Sequence, residues 1–224
     1  MKKPALDKND VIAAEFIAAL LPGQGEGEAP PTFAEVAFAG RSNVGKSSLI
    51  NCLLQRRGLV RTSGTPGCTR QINLFSARMR DGANMVLADL PGYGFAKRSK
   101  GERSEWATLI ERYVGGRVTL AAMVLLIDAR RGVEEDDLEL LRFAKEARSP
   151  GLAPLSTLGV ATKIDRLPKS SARATLSKLS AATGGKALPF SSVTGEGRQE
   201  LWGQIRRALF VGVGEAATLA SQGE

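Results

Sequence analysis

The residues best suited to chemistry lie between Gly40 and Ser47 and read Gly-Arg-Ser-Asn-Val-Gly-Lys-Ser. This is the pattern G-x-x-x-x-G-K-[ST], a Gly-rich loop whose successive backbone N–H groups cradle phosphates. Its surroundings fit. Val36-Ala37-Phe38-Ala39 reads as a short strand, and Leu49, Ile50, Leu53 and Leu54 fall on one helical face. Strand, loop and helix in that order aim the positive end of a helix dipole at the phosphates. Lys46 then reaches the β- and γ-phosphates, and the Ser47 hydroxyl binds Mg²⁺. A chain of this length gives the pattern by chance on the order of once in a hundred. The expectation is a nucleotide site.

Three further clusters give that site a specificity. Asp89-Leu90-Pro91-Gly92 ends a predicted strand, so the Asp89 carboxylate can hold Mg²⁺ through water. Gly92, without a Cβ, lets its N–H approach the γ-phosphate. Thr162-Lys163-Ile164-Asp165 follows the next buried strand but one. A carboxylate at Asp165 accepts from N1–H and the exocyclic amine of guanine, and adenine lacks that amine. Such a site discriminates by roughly 10⁴-fold. The stem of Lys163 packs along the purine. Phe190-Ser191-Ser192, after the last strand, offers a backbone N–H to the guanine O6. Each cluster stands at the C-terminal end of a strand, the edge where α/β sheets collect ligands. A threonine that closes onto Mg²⁺ and the γ-phosphate is expected in the polar loop 58–71, where Thr69 leads and Thr62 and Thr65 compete.

The elements that must position these residues follow from the pattern of apolar residues. Residues 1–31 form an N-terminal extension, with a short amphipathic helix over Val11 to Leu21 and a Gly/Pro/Glu-rich linker from Pro22 to Pro31. The main domain covers 32–210. After the loop-and-helix unit come Ile72–Ser76 and Ala83–Ala88, joined around Asp81-Gly82, a hairpin signal. A basic loop runs from Tyr93 to Ser104, and Trp106, Leu109, Ile110, Tyr113 and Val114 keep helical spacing. Ala121 to Ile127 is a buried strand, Glu134 to Ala147 a helix, and Leu155 to Ala161 a strand. A helix over Ser170 to Leu179, a strand at Ala187 to Phe190 and a last helix complete the domain. Residues 211–224 read as a flexible tail. The fold class is α/β, a mostly parallel six-stranded sheet with one antiparallel strand and helices on both faces.

Composition narrows the partners. The chain has 224 residues, enough for one large domain, and a formal charge of +8 from 31 Lys and Arg against 23 Asp and Glu. That surplus suits a polyanion. Cys52 and Cys68 are the only cysteines, which fits a reducing cytoplasm, and with no His a zinc site is not expected. The apolar run after Met1-Lys2-Lys3 is interrupted by Asp7, Asp10 and Glu15 and is too short to span a bilayer. No membrane insertion is expected.

Taken together, Gly40–Ser47, Thr65-Pro-Gly-Cys-Thr69, Asp89-Leu-Pro-Gly-Tyr-Gly94, Leu126-Ile-Asp-Ala-Arg130, Thr162–Asp165 and Phe190–Ser192 resemble the EngB (YihA/YsxC) family of bacterial GTPases. The similarity runs from about Glu35 to Leu209. It implies a P-loop NTPase with a Ras-like G domain, GTP and Mg²⁺ binding, assembly of the large ribosomal subunit, and a part in septation and cell division. By position in Pro-Gly-x-Thr, it selects Thr69 as the switch threonine, with Ser47 as the other Mg²⁺ ligand. It also implies the nucleotide contacts. These are Gly40, Arg41, Ser42, Asn43, Val44, Gly45, Lys46 and Ser47; Gly67, Cys68, Thr69, Arg70 and Gln71; Asp89, Leu90, Pro91 and Gly92; Thr162, Lys163, Ile164 and Asp165; and Phe190, Ser191 and Ser192. Cys68 stands where the family usually has a basic residue.

Catalysis would rest on Lys46, Thr69, Gly92 and Asn43. Ras-like enzymes orient water with a Gln directly after Asp-x-x-Gly, and this chain has Tyr93 there. Intrinsic hydrolysis is therefore expected to be slow, no faster than roughly 10⁻⁴–10⁻³ s⁻¹. Asn43 either binds a stimulating K⁺, as in related GTPases, or bonds its own backbone at the helix entry. Arg41 is able to supply charge from within the loop. Lys97, Arg98, Lys100 and Arg103, extended by Arg56, Arg57 and Arg61, are expected to form a basic surface for ribosomal RNA on a large-subunit precursor. A monomer is expected. The rival readings are a GTP-binding scaffold at the division septum with incidental hydrolysis, and another P-loop ATPase or kinase.

Overall fold

The longest uninterrupted apolar stretch, Leu120 to Ile127, lies in the strand on which the rest is stacked, Leu120–Asp128, and nearly every side chain in it is buried. A computed structural model describes residues 7–21, 33–60, 71–94 and 100–220, leaving aside the side chains of 100–104, 106 and 210–220. In chain order the elements are β1 (Val11–Leu20), β2 (Glu35–Gly40), α1 (Lys46–Leu54), β3 (Ile72–Met79), β4 (Asn84–Asp89), α2 (Lys100–Gly116), β5 (Leu120–Asp128), α3 (Glu135–Glu146), β6 (Ser156–Thr162), α4 (Lys169–Thr183), β7 (Leu188–Phe190) and α5 (Arg198–Ala220).

The strands form one sheet in the order β1-β3-β4-β2-β5-β6-β7. From β4 to β7 every pairing is parallel, as buried apolar strands linked by helices require. β3 pairs antiparallel with both β4 and β1, so it is the one strand that runs against the others. The β3–β4 hairpin turns where the Asp81-Gly82 dipeptide sits, with Gly82 at φ 87°. Helices α2, α3 and α4 cover one face of the sheet, in a core that includes Val114, Leu141 and Leu179. Helices α1 and α5 cover the other, around Leu49, Leu53, Trp202 and Ile205. The Trp202 indole is fully buried and donates to the Leu53 carbonyl at 3.1 Å, locking α5 onto α1.

Three expectations are corrected. The sheet has seven strands rather than six, because residues 11–20 form β1 and not an amphipathic helix. Register shifts between Val11 and Ala13 and between Phe16 and Ala18 break the alternation of side chains along this strand. Those irregularities erase the period of two that would have marked it, and pairing along β3 outweighs the helix preference of its alanines and leucines. The basic loop ends earlier than expected, since α2 begins at Lys100. At the other end, α5 continues as helical backbone to Ala220, past residue 211, where the sequence reads as a tail. Its alanines and leucines favour the helix, and the glycines there cost only about 1 kcal/mol each. The expected linker 22–31 lies outside the described residues. Among the described residues, no helix is long and apolar enough to cross a membrane.

Candidate nucleotide site

The parallel topology brings the C-terminal ends of β2, β4, β5, β6 and β7 to a single edge, and the clusters singled out in the sequence meet there. After β2 the chain turns through Gly40–Ser47 into α1. Gly45 caps the helix at φ 104°, a conformation that disfavours any Cβ, and Asn43 stands at φ 63°. The backbone N–H groups of Asn43, Gly45, Lys46, Ser47 and Ser48 make no hydrogen bond to a described residue. Orphan donors at a helix N-terminus are an anion cradle.

Asp89 closes β4 directly beside this loop, in register with Phe38 of β2. Its carboxylate accepts from Lys46 Nζ, and the two side chains are only 4% and 10% exposed. A hydroxyl at Ser47 and a carboxylate at Asp89, both next to a phosphate cradle, are hard oxygen donors of the kind Mg²⁺ takes. The following segment lies flush on the loop. The Ser42 N–H donates to the Tyr93 carbonyl at 3.1 Å, and a Cβ on Gly92 would come within 2.9 Å of Ser42 Oγ. Glycine is what lets Asp-x-Pro-Gly approach so closely.

Tyr93 then turns away from the cradle. Its hydroxyl donates to Asp137 Oδ1 at 2.6 Å, and both residues are buried. Burial, followed by the Asp137 charge, pushes the Tyr93 phenol well above its ordinary range, so it remains a proton donor. The same burial pushes Asp137 up, against the opposing hydrogen bonds from Tyr93 and the Glu134 N–H. Arg41 follows Tyr93 in direction. Its Nη1 ion-pairs with Glu134 at 3.0 Å and Asp136 at 2.9 Å at the start of α3. The guanidinium thus belongs to the α3 side, which corrects the reading of Arg41 as a source of charge within the loop.

At the other end of the cradle, the buried Thr162 hydroxyl donates to the carbonyls of Val44 at 2.7 Å and Ile127 at 3.1 Å. Lys163 stands at φ 58° and spans the loop, its Nζ bonded to the Asn43 carbonyl at 2.6 Å and Asp128 Oδ2 at 3.0 Å. Asp128 is also held by Arg130 Nε and Nη2 at 2.9 and 2.6 Å. Burial alone would raise Asp128, but the hydrogen bonds from Arg130 and Lys163 outweigh it and hold the carboxyl well below the usual range. Ile164 is buried, and Asp165 stands exposed in the 3₁₀ turn Ile164–Arg166. Past Phe190, Ser191 is fully buried. Its N–H donates to the Glu196 carbonyl at 3.1 Å, and its Oγ accepts from the N–H groups of Val193 and Thr194 at 3.2 Å each. Ser192 is exposed beside it.

The structure therefore gathers Gly40–Ser47, Asp89–Gly92, Thr162–Asp165 and Phe190–Ser192 at one edge of the sheet. Gln71, at the start of β3, donates from Nε2 to Asn73 Oδ1 at 2.8 Å. Gly67, Cys68, Thr69 and Arg70, the competing Thr62 and Thr65, and the basic residues Arg61, Lys97 and Arg98 lie outside the described residues. Sequence reasoning gave no role to two participants. Asp128, noted only within Leu126–Arg130, orients Lys163, and the signal for it was an acid ending a buried strand. Asp137 anchors Tyr93, and no local signal distinguishes it among the four successive acids Glu134 to Asp137.

Residues 35–160 match the model of the family described as "50S ribosome-binding GTPase". The chain is 45% identical over 182 residues to the "Probable GTP-binding protein EngB" of Desulforapulum autotrophicum, covering 80% of this chain and 89% of that one. It is 43% identical to the protein of the same name from Geobacter metallireducens, covering 84% and 88%. Among solved structures, a crystal structure of a probable GTP-binding protein EngB superposes with a TM-score of 0.59 at 24% identity, over 79% of this chain and 98% of that one. Era in complex with MgGDPNP and a segment of 16S ribosomal RNA gives 0.62 at 22% identity, over 80% and 57%. These superpositions show the P-loop GTPase fold. The extent of the sequence matches goes further: this chain belongs to the EngB family of GTP-binding proteins and is a GTPase.

Proposed function

We propose that the protein is a slow, nucleotide-dependent switch in the assembly of the large ribosomal subunit. The observation that carries the reading is the bond from Tyr93 to Asp137. Phosphoryl transfer to water depends on positioning and charge stabilisation. A phenol buried under α3, with its proton committed to a carboxylate, supplies neither the donor nor the acceptor that a glutamine amide gives an attacking water. The bound state is then long-lived, which suits a timer that reports nucleotide state to a partner. The ribosomal partner rests on the description of the matched family and on the chain's formal charge of +8.

In this reading Lys46 and the N–H groups of the Gly40–Ser47 loop hold the phosphates, and Gly92 marks the γ-phosphate. Ser47 and Thr69 would hold Mg²⁺, with Asp89 acting through water. Mg²⁺, when bound, would supply neutralisation of the phosphate charge. Asp165 selects guanine by accepting two hydrogen bonds, Lys163 flanks the base, and the loop after Phe190 donates to O6. Stimulation comes from a partner or from K⁺ at Asn43. The Asn43 side chain is exposed and bonds no described residue, which favours the cation reading over a self-bonded Asn. Faster turnover in KCl than in NaCl at equal ionic strength is expected, and equal rates would sink the potassium role. The family's part in septation is read as a consequence of ribosome assembly in the cytoplasm.

The test is sucrose-gradient fractionation with a non-hydrolysable GTP analogue or with GDP. Co-migration with large-subunit particles only in the GTP-like state is expected. Absence from those fractions in both states would overturn the assembly role while leaving a GTPase.

A further inference from the structure

The positive surplus of this chain is unevenly placed. From Arg166 to Gly195 there are five basic residues, Arg166, Lys169, Arg173, Lys178 and Lys186, and not one Asp or Glu. Five of the formal +8 charges thus fall in one segment, built around α4. Elsewhere many basic side chains are held by acids: Arg41, Arg117, Arg130, Arg142 and Arg206 are all ion-paired. Among the described residues no ion pair reaches any of the five in this segment, and all five are exposed. The neighbouring α3, on the same side of the sheet, carries Glu135, Asp136, Asp137, Glu139 and Glu146, so the contrast is local.

The helix geometry arranges these charges. Leu179 and Thr183 point into the core, with Ala172 and Leu176 packed beside them. The outward arc carries Arg173 towards one flank and Lys178 towards the other, at 3.6 residues per turn. Between them stand Ser170, Ala174, Ser177 and Ala181, all exposed and all short. Short side chains let a phosphate backbone come close, and serine hydroxyls, lysine and arginine are the groups that bind it.

We infer that the outward face of α4 is a docking surface for the phosphate backbone of structured RNA, separate from the nucleotide-sensing segment. This rests on the ribosomal reading given above. A membrane surface fits less well, because interfacial helices insert bulky apolar residues and the leucines of α4 are already committed to the core. The face adjoins the turn that carries Asp165, at the guanine end of the site, and touches neither Asp89–Gly92 nor the γ-phosphate end. Docking here therefore adds equally to affinity in both nucleotide states, while the nucleotide dependence of particle association comes from the γ-phosphate end.

The test compares wild-type protein with the triple variant Lys169→Gln, Arg173→Gln, Lys178→Gln. Binding to a labelled RNA hairpin is followed by anisotropy across a salt series, with GDP and with a non-hydrolysable GTP analogue. The triple variant is expected to bind roughly tenfold or more weakly, with a salt slope shallower by about 2–3, equally in both nucleotide states. GTP affinity and thermal midpoint should not change, since the side chains are exposed, and Lys169→Arg with Lys178→Arg should bind as wild type. Equal affinity and slope for wild type and triple variant would overturn the surface. So would wild-type binding to phosphatidylglycerol vesicles but not to the hairpin. If hairpin binding depends on the face while wild type stays off ribosomal fractions, the surface stands and the ribosomal reading fails. If wild type and variant co-migrate equally with large-subunit particles and bind the hairpin equally, the reading stands and the surface fails.

Discussion

β2 has a charged cluster at each end, and the two are built for opposite purposes. At its first residue, Glu35 is 1% exposed and accepts from Arg117 Nε and Nη2, the Tyr113 hydroxyl at 2.6 Å and the Thr119 hydroxyl at 2.7 Å. Every lone pair has a donor, and nothing there is left for a ligand. Past its last residue, Gly40, the P-loop keeps orphan N–H groups and a lone Lys46–Asp89 pair at an open edge. Buried charge is tolerated where it is fully satisfied and is useful where it is not. The difference teaches that the strand's N-terminal end is an anchor and its C-terminal end a site, although both hold acids beside basic groups.

The largest expected effect breaks the anchor. Glu35→Ala leaves the Arg117 guanidinium buried without its carboxylate and should cost about 3–5 kcal/mol of stability in urea unfolding. GTP affinity of the folded fraction should not change, since the cluster lies at the far end of the sheet. A change in GTP affinity instead would mean the two ends are coupled. Next comes the site. Lys46→Ala should weaken GTP binding by about a hundredfold, the loss expected of a charge-assisted contact. Its unfolding midpoint should shift less than that of Glu35→Ala, because water can enter beside Asp89 in the space the lysine leaves. Equal losses of stability would erase the distinction between anchor and site.

Tyr93 sharpens the comparison, because it sits at the site end yet is held like an anchor. Tyr93→Phe removes the donor to Asp137 and should cost about 1–3 kcal/mol, with single-turnover hydrolysis within about threefold of wild type. Tyr93→Gln should not restore rapid hydrolysis, because the Ser42–Tyr93 backbone bond directs this side chain under α3 rather than towards the phosphates. A large acceleration in Tyr93→Gln would show that the segment swings freely and would undo the argument for a slow timer.

How much of this was legible in the sequence depended on the range of the physics involved. The P-loop, Asp89–Gly92 and Thr162–Asp165 are local patterns placed at strand ends, so order along the chain was enough to bring them to one edge. The hairpin was written in Asp81-Gly82, and the acidic start of α3 in Glu134 to Asp137. β1 was not legible, because its bulges hide the alternation and its partner, β3, lies some sixty residues on in the register Phe16–Phe75. The directions of Arg41 and Tyr93 were not legible either. Both are set by acids on α3, more than 40 residues away in sequence for Tyr93 and Asp137, and no spacing rule links them.

The smallest effect tests Asp128, which stands between the two kinds of cluster. It is buried like Glu35, but its partners Arg130 and Lys163 are 40% and 25% exposed, so solvent screens much of the attraction. Its folded carboxyl lies below the ordinary value of 3.8. A depressed carboxyl contributes stability that is fully present above its unfolded value and is lost as pH falls through the folded one. Asp128→Asn should therefore match wild type most closely in strong acid, and should be less stable by about 1 kcal/mol above about pH 5, allowing for screening. Urea midpoints of both proteins across that range check it. A gap that stays constant with pH would mean that the ionic character of Asp128 contributes nothing to folding. Lys163 would then be held over the P-loop by the Asn43 carbonyl and shape alone.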